Sequence, residues 1–300
     1  MTTPRQVLPG STVMISRRVA RRQLLIRPSE LVNQIFLYCI AVAADRTGML
    51  IHAVVVLGNH LHIVLTDPDA RRPEFCRWLF EFTAKCVNTT FGRWENLWSS
   101  EEPSVVVLDH PDDFADKILY TIANPVAAAL VSRSEQYPGI VTQPGDYLAD
   151  PIEVARPGVF FRDNGPTPPT AKLELVPPPG FEEMGTEGFV QMLREELEAR
   201  EMDLRGQHRA AGRTVLGPRA VLEQDPFSYP HSCEPRRNLN PRVGARNKWR
   251  RIEAIKRLRS FVRDHAEALA TYLKGERYVL FPAGTYWARV FLGVRCLEPG

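Results

Sequence analysis

Two histidines stand two residues apart in the stretch VVVLGNHLHIVLTDP, residues 54–68, which is otherwise as apolar as a buried strand. Alternate residues of a strand face the same side, roughly 7 Å apart along it, so His60 and His62 share one face. Two imidazoles on one face can bind a single metal ion when a third ligand comes from elsewhere in the chain. Paired strand histidines also occur as ordinary surface residues, and the pair alone leaves both interpretations open.

A second chemical pattern lies in ILYTIANPVAAALV, residues 118–131. Tyr120 and Asn124 are four residues apart, so on a helix they project from one face, one turn from each other. The amide oxygen of Asn124 is a reasonable ligand for a hard cation. The phenol of Tyr120 is a useful nucleophile only when it is positioned and activated, and a helix aromatic also packs commonly into a core. Nucleotide hydrolases with a His-x-His-x-His strand are disfavoured, because the third position is Val64.

The elements that must position these residues follow from the apolar pattern. We expect one or two strands over residues 11–26, and further strands over 49–57, over the histidine stretch and over 103–109. Helices are expected over 31–48, over 73–92 and over 110–131, the last one broken near Pro125. Strands joined by helices and by one direct hairpin indicate an α+β fold. The nearest common architecture is a small, mainly antiparallel sheet with helices on it, of the ferredoxin-like or split β-α-β type.

Composition divides the chain into three parts. We expect a catalytic domain over residues 1–150, a linker rich in proline and glycine over 151–182, and a basic, mostly helical region over 183–300. Residues 1–150 hold 14 Lys and Arg against 16 Asp and Glu, whereas residues 151–300 hold 24 against 19. Residues 236–263 alone contain 11 basic residues and one acidic residue. Such a concentration indicates an anionic partner, most simply nucleic acid, although a solvated helix face has the same composition.

Several classes of protein are disfavoured by what the sequence lacks. No run of eighteen apolar residues exists, so we expect no membrane contact. The start MTTPRQVLPG lacks the basic-then-apolar layout of a secretory signal. The five cysteines form no C-x-x-C pair, which makes a zinc ribbon or a disulfide framework improbable. The expected location is therefore the cytoplasm.

Two motifs resemble those of the HUH single-tyrosine transposases, in particular the REP-associated tyrosine transposases. LGNHLHIVL resembles the family's MPNHVHLLL strand, YTIANPVAAALV resembles its YIHLNPVRAGLV helix, and RWENLWSS between them is similar to its Gly-x-Leu-Trp segment. The likeness spans roughly residues 10–140. It implies the HUH variant of the ferredoxin-like fold, with His60 and His62 as metal ligands, Asn124 as the third ligand and Tyr120 as the nucleophile. It also implies a DNA transposase and single-strand endonuclease that needs Mg or Mn, and that cleaves and rejoins single-stranded or hairpin DNA through a 5′-phosphotyrosine intermediate.

Several positions depart from the family pattern. Leu57-Gly58 stands where the family has Met-Pro, Ala127 and Ala129 replace an arginine and a glycine, and SSEEP at 99–103 stands where the family usually has a basic residue. The alternative is therefore a domesticated DNA-binding protein whose catalysis is weak or lost. A replication initiator or relaxase is a third hypothesis, although such chains are usually longer and this sequence contains no GxxxxGK[ST] loop.

Substrate capture is expected from basic and aromatic residues outside the catalytic set. Trp94 and Trp98 could stack on unpaired bases, but core packing is the stronger expectation. Arginines on the first strands could bind phosphates, although edge strands carry solvated charges of the same kind. The candidate DNA-binding residues are Arg17, Arg18, Arg21, Arg22, Arg236, Arg237, Arg242, Arg246, Lys248, Arg250 and Arg251. Either a monomer or a homodimer is compatible with this pattern, because some relatives exchange the tyrosine helix between subunits.

Overall fold

The computed structural model describes residues 4–230 and 242–299 of the 300-residue chain. Its strands are β1 (Ser11–Arg18), β2 (Leu50–Val56), β3 (His60–Asp67), β4 (Ser104–Leu108), β5 (Ile152–Ala155), β6 (Thr170–Leu173), β7 (Val243–Gly244), β8 (Leu280–Phe281) and β9 (Arg295–Cys296). Its helices are α1 (Glu30–Thr47), α2 (Arg72–Phe91), α3 (Pro111–Ile122), α4 (Asn124–Ala127), α5 (Gly185–Ala210), α6 (Pro218–Glu223), α7 (Lys248–Leu273) and α8 (Trp287–Leu292). The fold is α+β, as predicted from the sequence.

The main sheet has the order β2-β3-β1-β4-β7. Neighbours among the first four strands are antiparallel, and β7 joins β4 in parallel. This order, with α1 and α2 as the crossovers, is the ferredoxin-like arrangement that the sequence predicted. The strand that carries the two histidines, β3, and its partner β1 both lie inside the sheet. Arg17 and Arg18 therefore do not lie on an edge strand, although Arg18 is exposed to solvent.

The pairing of β1 with β3 decides which side chains share a face of the sheet. Arg17 lies over the ring of Phe80 in α2, with 5.5 Å from its guanidinium carbon to the ring centroid. One face is therefore covered by α2, against which α1 packs. His62 points to the other face, where its ring contacts Tyr120 of α3. The sheet thus separates the α1–α2 layer from the tyrosine helix.

The tyrosine helix is interrupted where the sequence predicted it. Pro125 has no N–H to donate and so favours a break, and α4 begins one residue before it, at Asn124. Ala123 between the two helices keeps φ −77° and ψ −2°, close to the helical region. The chain therefore continues in nearly the same direction, and Asn124 stays about one turn, roughly 6 Å of helix rise, beyond Tyr120.

The segment that we expected to be a linker is packed against α1 and α2. Its strands β5 and β6 form an antiparallel pair. The hydroxyl of Tyr38 in α1 donates to the carbonyl oxygen of Pro168 at 2.5 Å, and the Tyr38 ring meets Phe161 at 5.4 Å between centroids. Phe161 also stacks on Phe82 of α2. The prolines therefore belong to a folded hairpin and not to a tether, while the division into domains at 150 and 182 stays a prediction.

The basic C-terminal region is mostly helical, as predicted. Helix α5 buries Phe189 and Leu193 in the main core, and Arg200 on the same helix pairs with Asp116 of α3 at 3.2 Å. Helix α7 is continuous over 26 residues and carries most of the basic run. None of the helices within residues 4–230 and 242–299 combines the length and the hydrophobicity needed to cross a bilayer.

Candidate active site

The two histidines lie together on one face of β3, as their spacing predicted. In the pairing with β1, His60 is opposite Arg18 and His62 is opposite Ser16. The two imidazole centroids are 5.0 Å apart and the rings are nearly perpendicular. His62 is only 7% exposed, whereas His60 is half-buried. Solvent therefore reaches the pair from the side of His60, the first residue of β3.

Each imidazole has a protein partner at Nδ1. His60 Nδ1 donates to Asn59 Oδ1 at 2.7 Å, because an amide oxygen can only accept. His62 Nδ1 is hydrogen-bonded to Ser16 Oγ at 2.6 Å. Asn59 is held in turn by its own amide, which donates to the carbonyl oxygen of Arg22 at 3.2 Å. With Nδ1 committed in both rings, a metal ion would be bound through Nε2, the arrangement typical of metal-binding histidines.

The buried histidine is neutral near pH 7. Burial lowers the pKa of His62 to about 3, and the charges of His60 and Arg18 act in the same direction. A neutral imidazole keeps the lone pair that a metal ion requires. Metal binding is therefore compatible with the electrostatics of the pair.

The donor set fits a hard cation with open positions. No group of three His, Cys, Asp or Glu side chains that could hold a metal ion occurs in the described part of the chain. The resemblance gives Asn124, which is 7% exposed on α4, as the third protein ligand, and this role stays a prediction. Two imidazoles and one amide leave coordination positions for water and phosphate oxygens, which Mg and Mn favour.

The phenol predicted to act as a nucleophile lies beside this pair in the same chain. The ring centroid of Tyr120 is 5.5 Å from that of His62, at an interplanar angle of 75°. Tyr120 is 36% exposed, so it is not the buried core aromatic of the competing interpretation. The ammonium group of Lys117 lies 5.7 Å from the ring centroid of Tyr120 and 3.0 Å from Asp116. One chain thus brings the histidines and the tyrosine together, while their roles stay predictions.

The four N-terminal arginines differ in what they contact. Arg17 donates to the carbonyl oxygens of Glu101 at 2.6 Å and of Ser99 at 3.1 Å, and burial lowers its pKa. It holds the loop before β4, a structural contact that sequence reasoning missed. The strand structure expected over Arg21 and Arg22 is not present. Both residues lie in a 3₁₀ turn, with φ of 55° and 60°.

Two C-terminal basic residues, Arg246 and Arg250, contact the N-terminal end of α3. The Arg250 guanidinium lies 3.8 Å from the Asp112 carboxylate, and the backbone N–H of Arg246 donates to Asp113 at 2.7 Å. Asp112 precedes Tyr120 by eight residues, which is about 12 Å along a helix. These basic residues therefore sit about 12 Å along α3 from the tyrosine.

The other C-terminal candidates have different surroundings. Lys248 and Arg251 are exposed at the start of α7. Arg242 is half-buried and donates to the carbonyl oxygen of Pro4 at 3.1 Å. The remaining candidates, Arg236 and Arg237, lie outside the described residues.

The two tryptophans predicted to pack in the core behave differently. Trp98 is buried, donates from its indole nitrogen to the carbonyl oxygen of Phe80 at 2.9 Å, and meets the Phe80 ring edge-on. For Trp98 the expected core packing is confirmed. Trp94 is 98% exposed, so the same expectation is wrong there and its ring is accessible for stacking.

Sequence reasoning missed three residues around the site. Asn59 adjoins His60 in the motif, so its contact could have been foreseen from proximity. Lys117 stands three residues before Tyr120, a helical spacing that places the two side chains near each other. Ser16 lies 46 residues before His62, and only the strand pairing brings the two together.

No protein-family model matches this chain, and no curated protein matches it. Among solved structures it is similar to a REP-associated tyrosine transposase bound to a REP hairpin, with 20% identity over 46% of this chain and 81% of that chain and a TM-score of 0.40. It is also similar to a candidate transposase from Deinococcus radiodurans R1, with 20% identity over 41% of this chain and 97% of that chain and a TM-score of 0.28. Both neighbours carry the transposase name that the motifs indicated. Superpositions this weak leave the chemistry of the site to be judged from its own geometry.

Proposed function

We propose that this protein is a metal-dependent tyrosine transposase that cleaves and rejoins single-stranded DNA. The observation that carries the proposal is the 5.5 Å separation of the Tyr120 and His62 rings, with His60 a further 5.0 Å from His62. This juxtaposition supports the roles that the two motifs imply for these residues. A location in the cytoplasm stays part of the proposal.

The histidines and the amide would hold Mg or Mn. His60 and His62 would bind it through Nε2, oriented by Asn59 and Ser16, and Asn124 would supply the amide oxygen. When bound, such a cation neutralises charge on a phosphoryl oxygen and so eases attack on the phosphorus. The chain's own contribution is alignment, because transfer between phosphodiesters of similar energy depends mainly on positioning and charge.

The covalent step is a transesterification. The Oη atom of Tyr120 forms a bond to phosphorus while the bond from phosphorus to the 3′ oxygen breaks. The phenolic proton leaves to solvent, and the departing 3′ oxygen takes a proton to become a free hydroxyl. The product is a 5′-phosphotyrosine ester that keeps the energy of the broken bond, so attack by another 3′ hydroxyl rejoins two strands.

A covalent-adduct assay tests this function. The full chain is incubated with Mn and a library of labelled single-stranded hairpins with randomised flanks, and adducts are resolved on a denaturing gel. We expect an adduct with the wild type and with Tyr278→Phe, a control in which the tyrosine is 88% exposed outside the site. Tyr120→Phe should bind DNA without forming the adduct. An adduct that persists in Tyr120→Phe would refute the assignment of the nucleophile.

The second candidate is recognition of DNA without cleavage. It is favoured by the acidic segment after Trp98, in which Glu101 and Glu102 are exposed where the resembled family usually has a basic residue. Carboxylates there would repel a phosphate backbone approaching β1. The adduct assay separates the two functions, because a simple binder shifts hairpin DNA on a native gel but yields no denaturation-resistant product with Mn or Mg.

A further inference from the structure

A cavity of about 700 Å³ lies between the sheet and α7, away from the tyrosine site. Its walls come from the start of β1, from β4, from the N-terminal end of α3 and from α7. Thr12 of β1 lines this cavity, whereas Arg18 is the β1 residue opposite His60. Six residues of extended strand separate the two, about 20 Å. The cavity is therefore at the opposite end of the sheet from the histidines.

A buried arginine with an incomplete set of partners stands in the wall. Arg72 is only 3% exposed, and its Nη2 donates to the carbonyl oxygen of Gln6 at 3.2 Å. Its Nη1 has no hydrogen-bond partner among the described residues. The nearby carboxylate of Asp67 accepts the backbone N–H groups of Arg71 and Arg72, at 2.8 Å each. A buried guanidinium in this situation is stabilised by an additional acceptor, most of all an anionic one.

The cavity carries an excess of positive charge. Asp109 and Glu253 are the carboxylates in its lining, and Asp109 is paired with Arg257. Two carboxylates beside the cavity also contact its arginines, because Glu102 lies 2.9 Å from Arg5 and Asp112 lies 3.8 Å from Arg250. Three of the five lining arginines therefore already have a carboxylate beside them. Burial lowers the pKa values of Arg72 and Arg242, and the charge of Arg5 lowers both further, as expected of guanidinium groups held near one another. The lining arginines are Arg5, Arg72, Arg242, Arg250 and Arg257. Several guanidinium groups facing one space favour an anion with several acceptor oxygens, such as a phosphate.

The remaining walls are apolar. The volume of the cavity is also larger than the volume of an inorganic anion. Leu8, Val105, Phe114 and Leu258 contribute side chains to the lining. A volume near 700 Å³ is typical of sites that bind a small organic molecule. An aromatic and aliphatic wall opposite a phosphate-binding group suits a planar base, since bases stack on aromatic rings whatever their sequence.

We propose that this cavity binds a nucleoside phosphate, whose phosphate oxygens accept hydrogen bonds from Arg72 and Arg242 while the nucleoside lies against the apolar wall. The ligand is either a free nucleotide or one nucleotide unit of a single-stranded DNA. The site is separate from the tyrosine chemistry and does not depend on it.

Calorimetric titration of the full chain tests the proposal, with dAMP, a 5′-phosphorylated single-stranded oligonucleotide and deoxyadenosine as probes. We expect dAMP or the oligonucleotide to bind and deoxyadenosine, which lacks the phosphate, not to bind. Arg242→Gln should weaken binding by about 10-fold or more, the loss typical of a charged hydrogen bond. Arg219→Gln, at an arginine 91% exposed on α6, is the matched control and should bind as the wild type does.

Each pattern of results decides the proposal. Binding of dAMP that needs Arg242 supports a free nucleotide, and binding of the oligonucleotide alone with the same dependence supports a unit of DNA. Binding that is unchanged in Arg242→Gln, or no binding of either phosphate probe, overturns the proposal. Arg72→Lys serves as a further variant if circular dichroism shows that it folds. The wild type should bind dAMP in EDTA as it does with Mn, which keeps this test distinct from that of the tyrosine chemistry.

Discussion

Protonation of the buried His52 should make the stability of this protein depend on pH. His52 is fully buried in β2. Its Nδ1 donates to the carbonyl oxygen of Val176 at 2.8 Å, since a carbonyl can only accept, and its Nε2 therefore accepts from the Thr66 hydroxyl at 2.8 Å. Burial lowers the pKa of His52 to about 4, against which the bond to Val176 acts only in part. The folded protein thus holds this imidazole neutral at pH values where a free histidine is charged.

The sign and size of the effect follow from the two pKa values. In the unfolded chain His52 titrates near 6.5, and in the folded protein near 4. Between these values the unfolded chain binds a proton that the folded protein does not bind, so stability is complete above pH 6.5 and falls as the pH is lowered. At about 1.4 kcal/mol per pKa unit, His52 alone should cost about 2 kcal/mol between pH 7 and pH 5, and about 3 kcal/mol by pH 4.

Urea unfolding of the wild type and of His52→Asn, in EDTA at pH 7 and pH 5, measures this cost. The asparagine can keep the donor to Val176 but does not titrate. We expect the wild type to lose about 2 kcal/mol more than the variant over this range. Other groups titrate in both proteins and cancel in the difference. The phenol of Tyr147, which donates to the His52 carbonyl oxygen, stays protonated because burial raises its pKa. Equal pH dependence in the two proteins would refute the reasoning.

Three further changes test the site, the core and the DNA interface. Ser16→Ala removes the partner of His62 Nδ1 and should weaken Mn binding by about 10- to 100-fold, measured by electron paramagnetic resonance; unchanged affinity would contradict the orienting role. Phe189→Ala empties a fully buried position on α5 and should cost about 3–5 kcal/mol in a single urea transition, whereas an independent C-terminal domain would leave a separate transition unaffected. Arg251→Gln should reduce the slope of log affinity for single-stranded DNA against log salt by about 0.7 relative to Arg219→Gln, and an unchanged slope would exclude a phosphate contact.

The parts of the fold that could be predicted are those whose cause is local. Period-two and helical patterns are set by neighbouring residues, so the β-α-β-β-α-β order and the break before Pro125 follow from the sequence itself. The common face of His60 and His62 follows in the same way, because alternate residues of a strand always share a side. A helical spacing likewise placed Asn124 one turn from Tyr120.

The parts that could not be predicted depend on contacts between distant segments. Ser16 meets His62 only because β1 pairs with β3 in one register, and a shift by one residue would turn it to the other face. The proline-rich segment has the composition of a linker, but the packing of Phe161 against α1 and α2 holds it in the fold. Arg21 lies in a left-handed turn that arginine seldom adopts, so no local preference points to it.

Helix α3 carries the tyrosine near one end and contacts the basic region at the other end. Because of these contacts, the number of basic residues overstates the charge that is available to bind DNA. Acidic residues in the first turn of a helix are favoured by its dipole, which explains Asp112 and Asp113 locally. Acidic residues at this end of the helix also contact the basic region. Asp112 lies near Arg250, and Asp109, just before the helix, pairs with Arg257. Carboxylates beside these arginines offset part of their charge. Binding of each such arginine to DNA should therefore release fewer counterions from the DNA than binding of an arginine with no acid beside it. The salt dependence of DNA binding should therefore be shallower than the eleven basic residues of the run imply.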